Sequence, residues 1–154
     1  MDITDKKILK ILSEDANTTS IEIGNRVNLS VPAVNKRILK LENNKVIRSF
    51  TILTDAKKVE KPILAYVLIV IRYGKGVKTF LEYVENEPDI LECHAVTGEY
   101  DYLLKICAKD IESLEEKILH LKQQEGVMKS HTLFSLTEHK FSPAVLPDEM
   151  EELK

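Results

Sequence analysis

Residues 27–41 read VNLSVPAVNKRILKL, and this stretch holds the signals that start and orient a helix. Ser30 can cap the helix at its N-terminus. Pro32 falls in the first turn, where its missing N–H costs no hydrogen bond. Three apolar residues recur at i, i+4 and i+7 and form one face of this helix: Val34, Ile38 and Leu41. The stretch therefore predicts a helix that starts after Ser30 and buries that face.

Two further helical patterns precede this helix. The first lies in residues 2–12, where isoleucines and leucines form an apolar stripe and Asp2 and Asp5 suit the positive end of the helix dipole. Thr19 or Ser20 can cap a second, shorter helix, which stops at Asn28 because asparagine tolerates the left-handed backbone of a tight turn. Three short helices with a tight turn before the last are typical of a helix-turn-helix.

The side of the third helix opposite its apolar face is small, polar and cationic. Small side chains allow close approach to base edges in a major groove, and cations can meet phosphates. A cationic face alone more often only contacts solvent, but the preceding helix and turn favour DNA binding here. Seven residues are expected near bases or phosphates: Ser30, Pro32, Ala33, Asn35, Lys36, Arg37 and Lys40.

The charge distribution supports two modules with different partners. The chain has 154 residues and a formal net charge of −3. Residues 1–61 hold 12 Lys and Arg against 8 Asp and Glu, whereas residues 62–154 hold 10 against 17. A basic first module suits a polyanion such as DNA, and the acidic remainder suggests another role.

The helical pattern of apolar residues ends after the third helix. Residues 46–53 are rich in β-branched and aromatic side chains, and they predict a single strand or a strand pair. Residues 54–62 lack apolar periodicity and end in Pro62, so they are the expected linker. The first domain is accordingly expected to span residues 1–53.

The rest of the chain predicts strand, helix, strand, strand, helix, strand. Strands are expected at 63–72, 90–97, 102–108 and 127–137, with helices around 77–84 and 111–121 and a hairpin turn at Gly98–Asp101. The order βαββαβ is that of a ferredoxin-like sandwich, so the fold class is α+β. This domain is expected to span residues 63–138, and residues 139–154 are expected to form a loosely held tail.

Several other classes of protein find little support. No basic and apolar leader is seen at the start, and the longest uncharged apolar run is nine residues, about half of a bilayer span. Cys93 and Cys107 form no C-x-x-C pair, which fits a reducing cytoplasm, and they could be cross-strand neighbours. The four histidines lack metal-ligand spacing. No phosphate-binding or nucleophile motif is present, so we expect neither an enzyme nor a cofactor.

Two segments of the chain resemble the two domains of one protein family, in the same order. Residues 2–53 resemble the N-terminal winged helix-turn-helix of the Lrp/AsnC, or feast/famine, transcriptional regulators; the shared residues include Val27-Asn28-Leu29-Ser30 and Arg37-Ile38-x-x-Leu41-Glu42. Residues 63–138 resemble the family's regulatory domain through the segment 96–104, VTGEYDYLL. The family usually has glycine where this chain has Asn28 and Lys45. We expect a left-handed residue at Asn28, and either strain at Lys45 or a left-handed turn shifted to Asn44.

The resemblance implies a function and partners. Members of this family bind palindromic DNA as dimers, assemble into tetramers or octamers, and respond to amino acids held between regulatory domains. By resemblance, Gly98, Tyr100 and Asp101 lie near the effector. A glycine hairpin can expose N–H groups to a carboxylate, and an aspartate can pair with an ammonium. The simpler alternative is that Gly98 and Asp101 only satisfy a hairpin turn.

One rival interpretation stays open. A ferredoxin-like domain can host small-molecule binding or catalysis, so the chain could be a metabolite-binding or catalytic α+β domain whose N-terminal helices mediate protein contacts. Salt-dependent DNA binding separates the two interpretations, because phosphate contacts release counterions.

Overall fold

The computed structural model describes residues 1–148 and divides the chain into two compact units. One unit comprises Met1–Ile52 together with residues 140–148, and the other is Leu53–His139. The end of the expected tail, residues 149–154, lies outside the described residues. No helix within residues 1–148 has the length and apolar character needed to cross a membrane.

The first unit is a small bundle of three helices: α1 (Ile3–Glu14), α2 (Ser20–Val27) and α3 (Val31–Asn43). Capping boxes begin the first two helices, with Asp2 and Asp5 bonding each other's backbone in α1 and Thr19 and Glu22 doing so in α2. Ser20 is therefore the first residue inside α2. The bundle core consists of five buried residues: Ile8, Ile11, Ile23, Val34 and Leu41.

The turn between α2 and α3 is tight. Asn28 adopts the left-handed conformation with φ 55° and ψ 48°, as expected from its side chain. The Leu29 N–H donates to the Gly24 carbonyl at 3.0 Å. A Cβ at position 24 would lie 2.5 Å from the Leu29 carbonyl oxygen, so only glycine fits there. Ser30 occupies the N-cap position of α3, but its side chain makes no capping hydrogen bond.

The prediction of a strand or strand pair at residues 46–53 is wrong. Lys45, not Asn44, takes the left-handed conformation (φ 58°) just after α3. The N–H groups of Val46 and Ile47 then donate to the Leu41 carbonyl and close the end of the helix. Ile47 packs on the bundle core, whereas Ile52 is 81% exposed. These β-prone residues find no partner strand within the described chain, and an isolated ribbon is at best marginally stable.

The expected linker at residues 54–62 is locally folded. The Asp55 carbonyl accepts from the N–H groups of Lys58 and Val59, and the Asp55 carboxylate accepts from the Lys57 N–H at 2.9 Å. At the end of the segment, Lys61 forms an ion pair with the buried carboxylate of Asp89.

The second unit confirms the ferredoxin-like order βαββαβ. Its elements are β1 (Ile63–Ile71), α4 (Lys75–Asn86), β2 (Ile90–Ala95), β3 (Tyr102–Ala108), α5 (Ile111–Lys122) and β4 (Val127–Phe134). The four strands form one antiparallel sheet in the order β2-β3-β1-β4. Asp110 and Ser113 form the capping box of α5.

The two faces of this sheet differ. Alternate residues of β1 are fully buried, among them Val67 and Ile69, and they pack with Phe80 of α4 and Leu114 of α5. The intervening residues stay half-exposed because both helices pack on the other side: Leu64, Tyr66, Leu68 and Val70. The sheet therefore has one covered and one largely uncovered apolar face.

Candidate functional site

Most of the residues predicted to contact DNA are exposed on the outer surface of α3. Five of the seven residues predicted to contact DNA are exposed: Ser30, Pro32, Asn35, Lys36 and Lys40. The other two, Ala33 and Arg37, are half-buried. The exposed set follows from the helical period, since Val34 and Leu41 turn inward on the opposite face.

Lys36 and Lys40 form the cationic part of this surface. They lie one helical turn apart, so both ammonium groups project from the same side of α3. Neither forms an ion pair with any residue in the described part of the chain. Two unpaired lysines on an exposed helix are suited to bind phosphates.

Arg37 serves a different purpose. Its Nη1 donates to Asp2 Oδ2 and to Asp5 Oδ1, both at 2.6 Å, which ties α3 to the start of α1. The hydrogen bonds that Arg37 donates to Asp2 and then to Asp5 raise the pKa of Arg37, and the bond to Asp2 lowers the pKa of Asp2. Asp5 is only 3% exposed, so removing Arg37 would leave a nearly buried carboxylate without its cation. This geometry disfavours the predicted DNA contact by Arg37.

Asn35 has one side-chain partner in the bundle. The Ser20 Oγ, at the start of α2, donates to Asn35 Oδ1 at 2.5 Å. The bond joins α2 to the exposed surface of α3.

The second candidate site is the hairpin at residues 96–101, between β2 and β3. The Val96 N–H donates to the Asp101 carbonyl, and the Asp101 N–H donates to the Ile69 carbonyl at 2.8 Å. Asp101 Oδ2 accepts from the Ile71 N–H, also at 2.8 Å. Asp101 therefore fastens the hairpin to β1, which is a structural role different from the turn that the simpler alternative assigned to it.

Gly98 and Tyr100 lie at the open side of this hairpin. Gly98 has φ 118°, a conformation that side-chain-bearing residues rarely adopt, and a Cβ there would meet nothing within 4 Å. The Tyr100 ring lies 6.3 Å from the ring of His131, centroid to centroid, and the Lys129 Nζ lies 5.3 Å from the Tyr100 centroid. Lys129 and His131 are alternate residues of β4, so they share a face of the strand.

The sequence did not single out these two β4 residues. Val70 and Leu68 of β1 pair with Lys129 and His131, and the Asp101 carboxylate is bonded to the next residue of β1, Ile71. Lys129 and His131 alternate along β4, so the sequence pattern places them on one face of that strand. Only the strand order, with β4 next to β1, brings them near the hairpin. Together the hairpin and β4 offer a carboxylate, a phenol, an imidazole and an ammonium, which are groups suited to a small zwitterion.

The cysteines are not neighbours. Cys93 pairs with Leu104 and Cys107 pairs with Leu64, so the strand register does not make the two thiols cross-strand neighbours, as the sequence had left open. Burial raises the pKa of both thiols, and the nearby Asp89 carboxylate raises that of Cys107 further. Across residues 1–148, no cluster of three or more His, Cys, Asp or Glu side chains could hold a metal.

Comparison with known proteins covers both units. Residues 1–48 match the model of the winged helix-turn-helix DNA-binding domains, and residues 64–145 match that of the Lrp/AsnC ligand binding domain. Transcriptional regulator AzlB of Bacillus subtilis is 33% identical over 153 residues, which is 97% of this chain and 98% of AzlB.

Solved structures share the same architecture. A transcriptional regulator from Neisseria meningitidis, determined as a complex with L-Met, has a TM-score of 0.90 and 31% identity, covering 94% of this chain and 96% of its own. An AsnC family regulator from Agrobacterium tumefaciens has a TM-score of 0.88 and 28% identity, with 94% and 96% covered. The family match over both units, with these relatives, places the chain in the Lrp/AsnC family of transcriptional regulators.

Proposed function

We propose that this chain is a sequence-specific regulator of transcription that binds double-stranded DNA through α3 and responds to an amino acid. The observation that carries the proposal is the exposed face of α3, where Lys36 and Lys40 are free of ion pairs within residues 1–148. The second helix of a helix-turn-helix that enters the major groove uses such a face. Ser30, Pro32 and Ala33, at the start of α3, approach the bases or phosphates.

The effector binds at the hairpin. An amino acid carries an ammonium and a carboxylate. Asp101 follows Tyr100 in the hairpin, and the oppositely charged Lys129 lies over the Tyr100 ring. Gly98 leaves open space beside them. The Neisseria meningitidis regulator, whose complex contains L-Met, supports an amino acid as the ligand class.

Assembly uses the uncovered face of the sheet. The half-exposed residues of β1 form an apolar surface of the kind that a second copy covers: Leu64, Tyr66, Leu68 and Val70. A two-fold dimer presents two copies of α3, which fits a pseudo-palindromic site. Dimers then associate into tetramers or octamers. Sedimentation of the whole chain tests this part, and a monomer at micromolar concentration would contradict it.

The experiment that tests DNA binding measures the dependence of affinity on salt. For a protein that neutralises phosphates, the logarithm of the binding constant falls linearly with the logarithm of salt concentration, by about 0.9 per contact. A first unit that only mediates protein contacts would show no such slope. Absence of binding at low salt would therefore favour the rival interpretation.

The effector is tested by thermal unfolding with each of the twenty amino acids. A ligand that binds only the folded chain adds roughly 2.7 kcal/mol of stability at 100 times its Kd. We expect one or a few amino acids to raise the unfolding temperature. A flat response to all twenty would contradict the amino-acid assignment and leave DNA binding untouched.

A further inference from the structure

The contact between Ser20 and Asn35 joins the two helices of the helix-turn-helix at its exposed surface. Ser20 is the first residue of α2, and its Oγ donates to Asn35 Oδ1 at 2.5 Å. Asn35 is exposed on the side of α3 proposed to face DNA. The hydroxyl therefore fixes the orientation of an amide in the part of α3 that approaches the bases.

The orientation of this amide decides which base edge it can read. An asparagine reads adenine with both halves of its amide, the oxygen accepting from N6 and the nitrogen donating to N7. The oxygen and nitrogen point in different directions from the amide carbon. When the amide oxygen of Asn35 points at Ser20 on α2, its NH2 group, with two N–H donors, points away from Ser20.

We propose that Ser20 is a positioning residue that turns the amide oxygen of Asn35 toward α2 and its N–H groups toward the base, so that this chain prefers guanine to adenine at the base pair that Asn35 reads. Guanine presents two acceptors, N7 and O6, in the major groove. Adenine presents one acceptor beside an N6 donor, and cytosine presents a donor, which an N–H group repels. The inference rests on the proposed DNA binding by α3 and names its specificity at one position.

Ser20 can be changed without removing the start of α2. The cap of this helix is formed by Thr19 and Glu22, whose side chains bond each other's backbone. Alanine is a strong helix former at the first helical position. Ser20→Ala thus removes the hydroxyl contact to Asn35, and Ser20→Thr is the matched control that keeps a hydroxyl.

The test selects binding sites from a random DNA library with the full-length wild-type chain and three variants. Asn35→Ala identifies the base pair concerned, because preference is lost at one symmetric pair of positions. We expect the wild-type chain to favour guanine there by roughly fivefold to a hundredfold. Ser20→Ala frees the amide to pair with adenine in the ordinary way, so the preference moves to adenine, and Ser20→Thr keeps guanine.

Three outcomes overturn the proposal while leaving DNA binding established. They are a wild-type preference for adenine or cytosine at the position identified, an unchanged preference in Ser20→Ala, and no position that depends on Asn35. Failure of the wild-type chain to bind any DNA would instead overturn the proposed function and this inference with it. Circular dichroism of each variant confirms that the helices are intact.

Discussion

The exposed surface of α3 and the hairpin at residues 96–101 carry the two proposed binding sites, and they are constructed differently. On α3, the two lysines proposed to bind phosphates come from one helix and form no ion pair within residues 1–148. At the hairpin, Asp101 is bonded to Ile69 and Ile71 of β1, and Tyr100 lies beside Lys129 and His131 of β4.

The difference predicts how each site responds to substitution. A side chain that only projects from a helix can be removed with little effect on folding, so binding changes alone. A side chain that bonds the backbone of a neighbouring strand contributes to binding and to stability together. The lysines of α3 and Asp101 should therefore separate in experiments that measure both quantities.

The largest effect is expected for the double substitution Lys36→Ala, Lys40→Ala. Loss of two phosphate contacts should reduce the salt slope by about 1.8 and weaken binding to all DNA sequences by roughly tenfold or more at 0.1 M salt. Stability in urea should stay within about 0.5 kcal/mol of the wild type. Filter binding or fluorescence anisotropy over a range of salt measures the slope, and an unchanged slope would remove these lysines from the interface.

Asp101 provides the contrasting pair of variants. Asp101→Ala leaves the Ile71 N–H without its acceptor, which should cost about 1–3 kcal/mol in urea unfolding. Asp101→Asn keeps a carbonyl oxygen for that N–H and should cost less, while the loss of charge weakens the amino-acid response. DNA affinity without ligand should change little in Asp101→Asn. Titration calorimetry with the responsive amino acid decides the matter, and wild-type ligand affinity in this variant would leave Asp101 with its structural role alone.

Arg37 is on α3 but, unlike Lys36 and Lys40, it forms ion pairs within the part of the chain that the structure describes. Because its guanidinium bonds Asp2 and Asp5, Arg37→Ala should lower the midpoint of urea unfolding of the first unit, by less than the core substitution Leu41→Ala. The DNA salt slope should change little. A slope reduced as much as by Lys36→Ala, with wild-type stability, would restore Arg37 to the predicted DNA contacts.

The smallest effect concerns acid stability of the second unit. Burial acts to raise the pKa of Asp89, but hydrogen bonds and charges from Lys117 and Lys61 lower it below 3.8. A lowered folded-state pKa means that Asp89 stabilises the unit above its unfolded pKa, and that this contribution is lost as pH falls through the folded value. Asp89→Asn should reduce stability at pH 7 and make the loss below pH 4 shallower.

Lys61 and Lys117 act at the other end of the pH scale. Burial opposes the charge of Lys117, but hydrogen bonding and attraction to Asp89 outweigh it, and the Asp89 hydrogen bond raises the pKa of Lys61. Their contributions are complete below the ordinary value of 10.5 and are lost only as pH rises through the higher folded values. Urea midpoints from pH 2 to 8, with the exposed Glu99→Gln as control, test the acid limb alone. An identical profile for Asp89→Asn would contradict the account.

The parts of the molecule predicted well from sequence are those set by neighbouring residues. Helix periods and caps located all five helices of residues 1–148, because residues such as Thr19 and Asp110 act within three positions of themselves. The strand at residues 46–53 failed because β-prone composition does not supply a partner. Partners from distant segments could not be foreseen: Arg37 with Asp5, and Tyr100 with Lys129, are joined only by the tertiary fold.

The close approach of Gly24 to Leu29 has a dynamic consequence. The Leu29 N–H donates to the Gly24 carbonyl. The backbones of these two residues are so close that a side chain at position 24 would not fit. Exchange of the Leu29 amide hydrogen with solvent deuterium therefore requires Leu29 to move away from the end of α2, which opens the turn. Its exchange rate should report the local free energy of opening the turn between α2 and α3, so that bound DNA, which favours the closed turn, slows exchange at this amide.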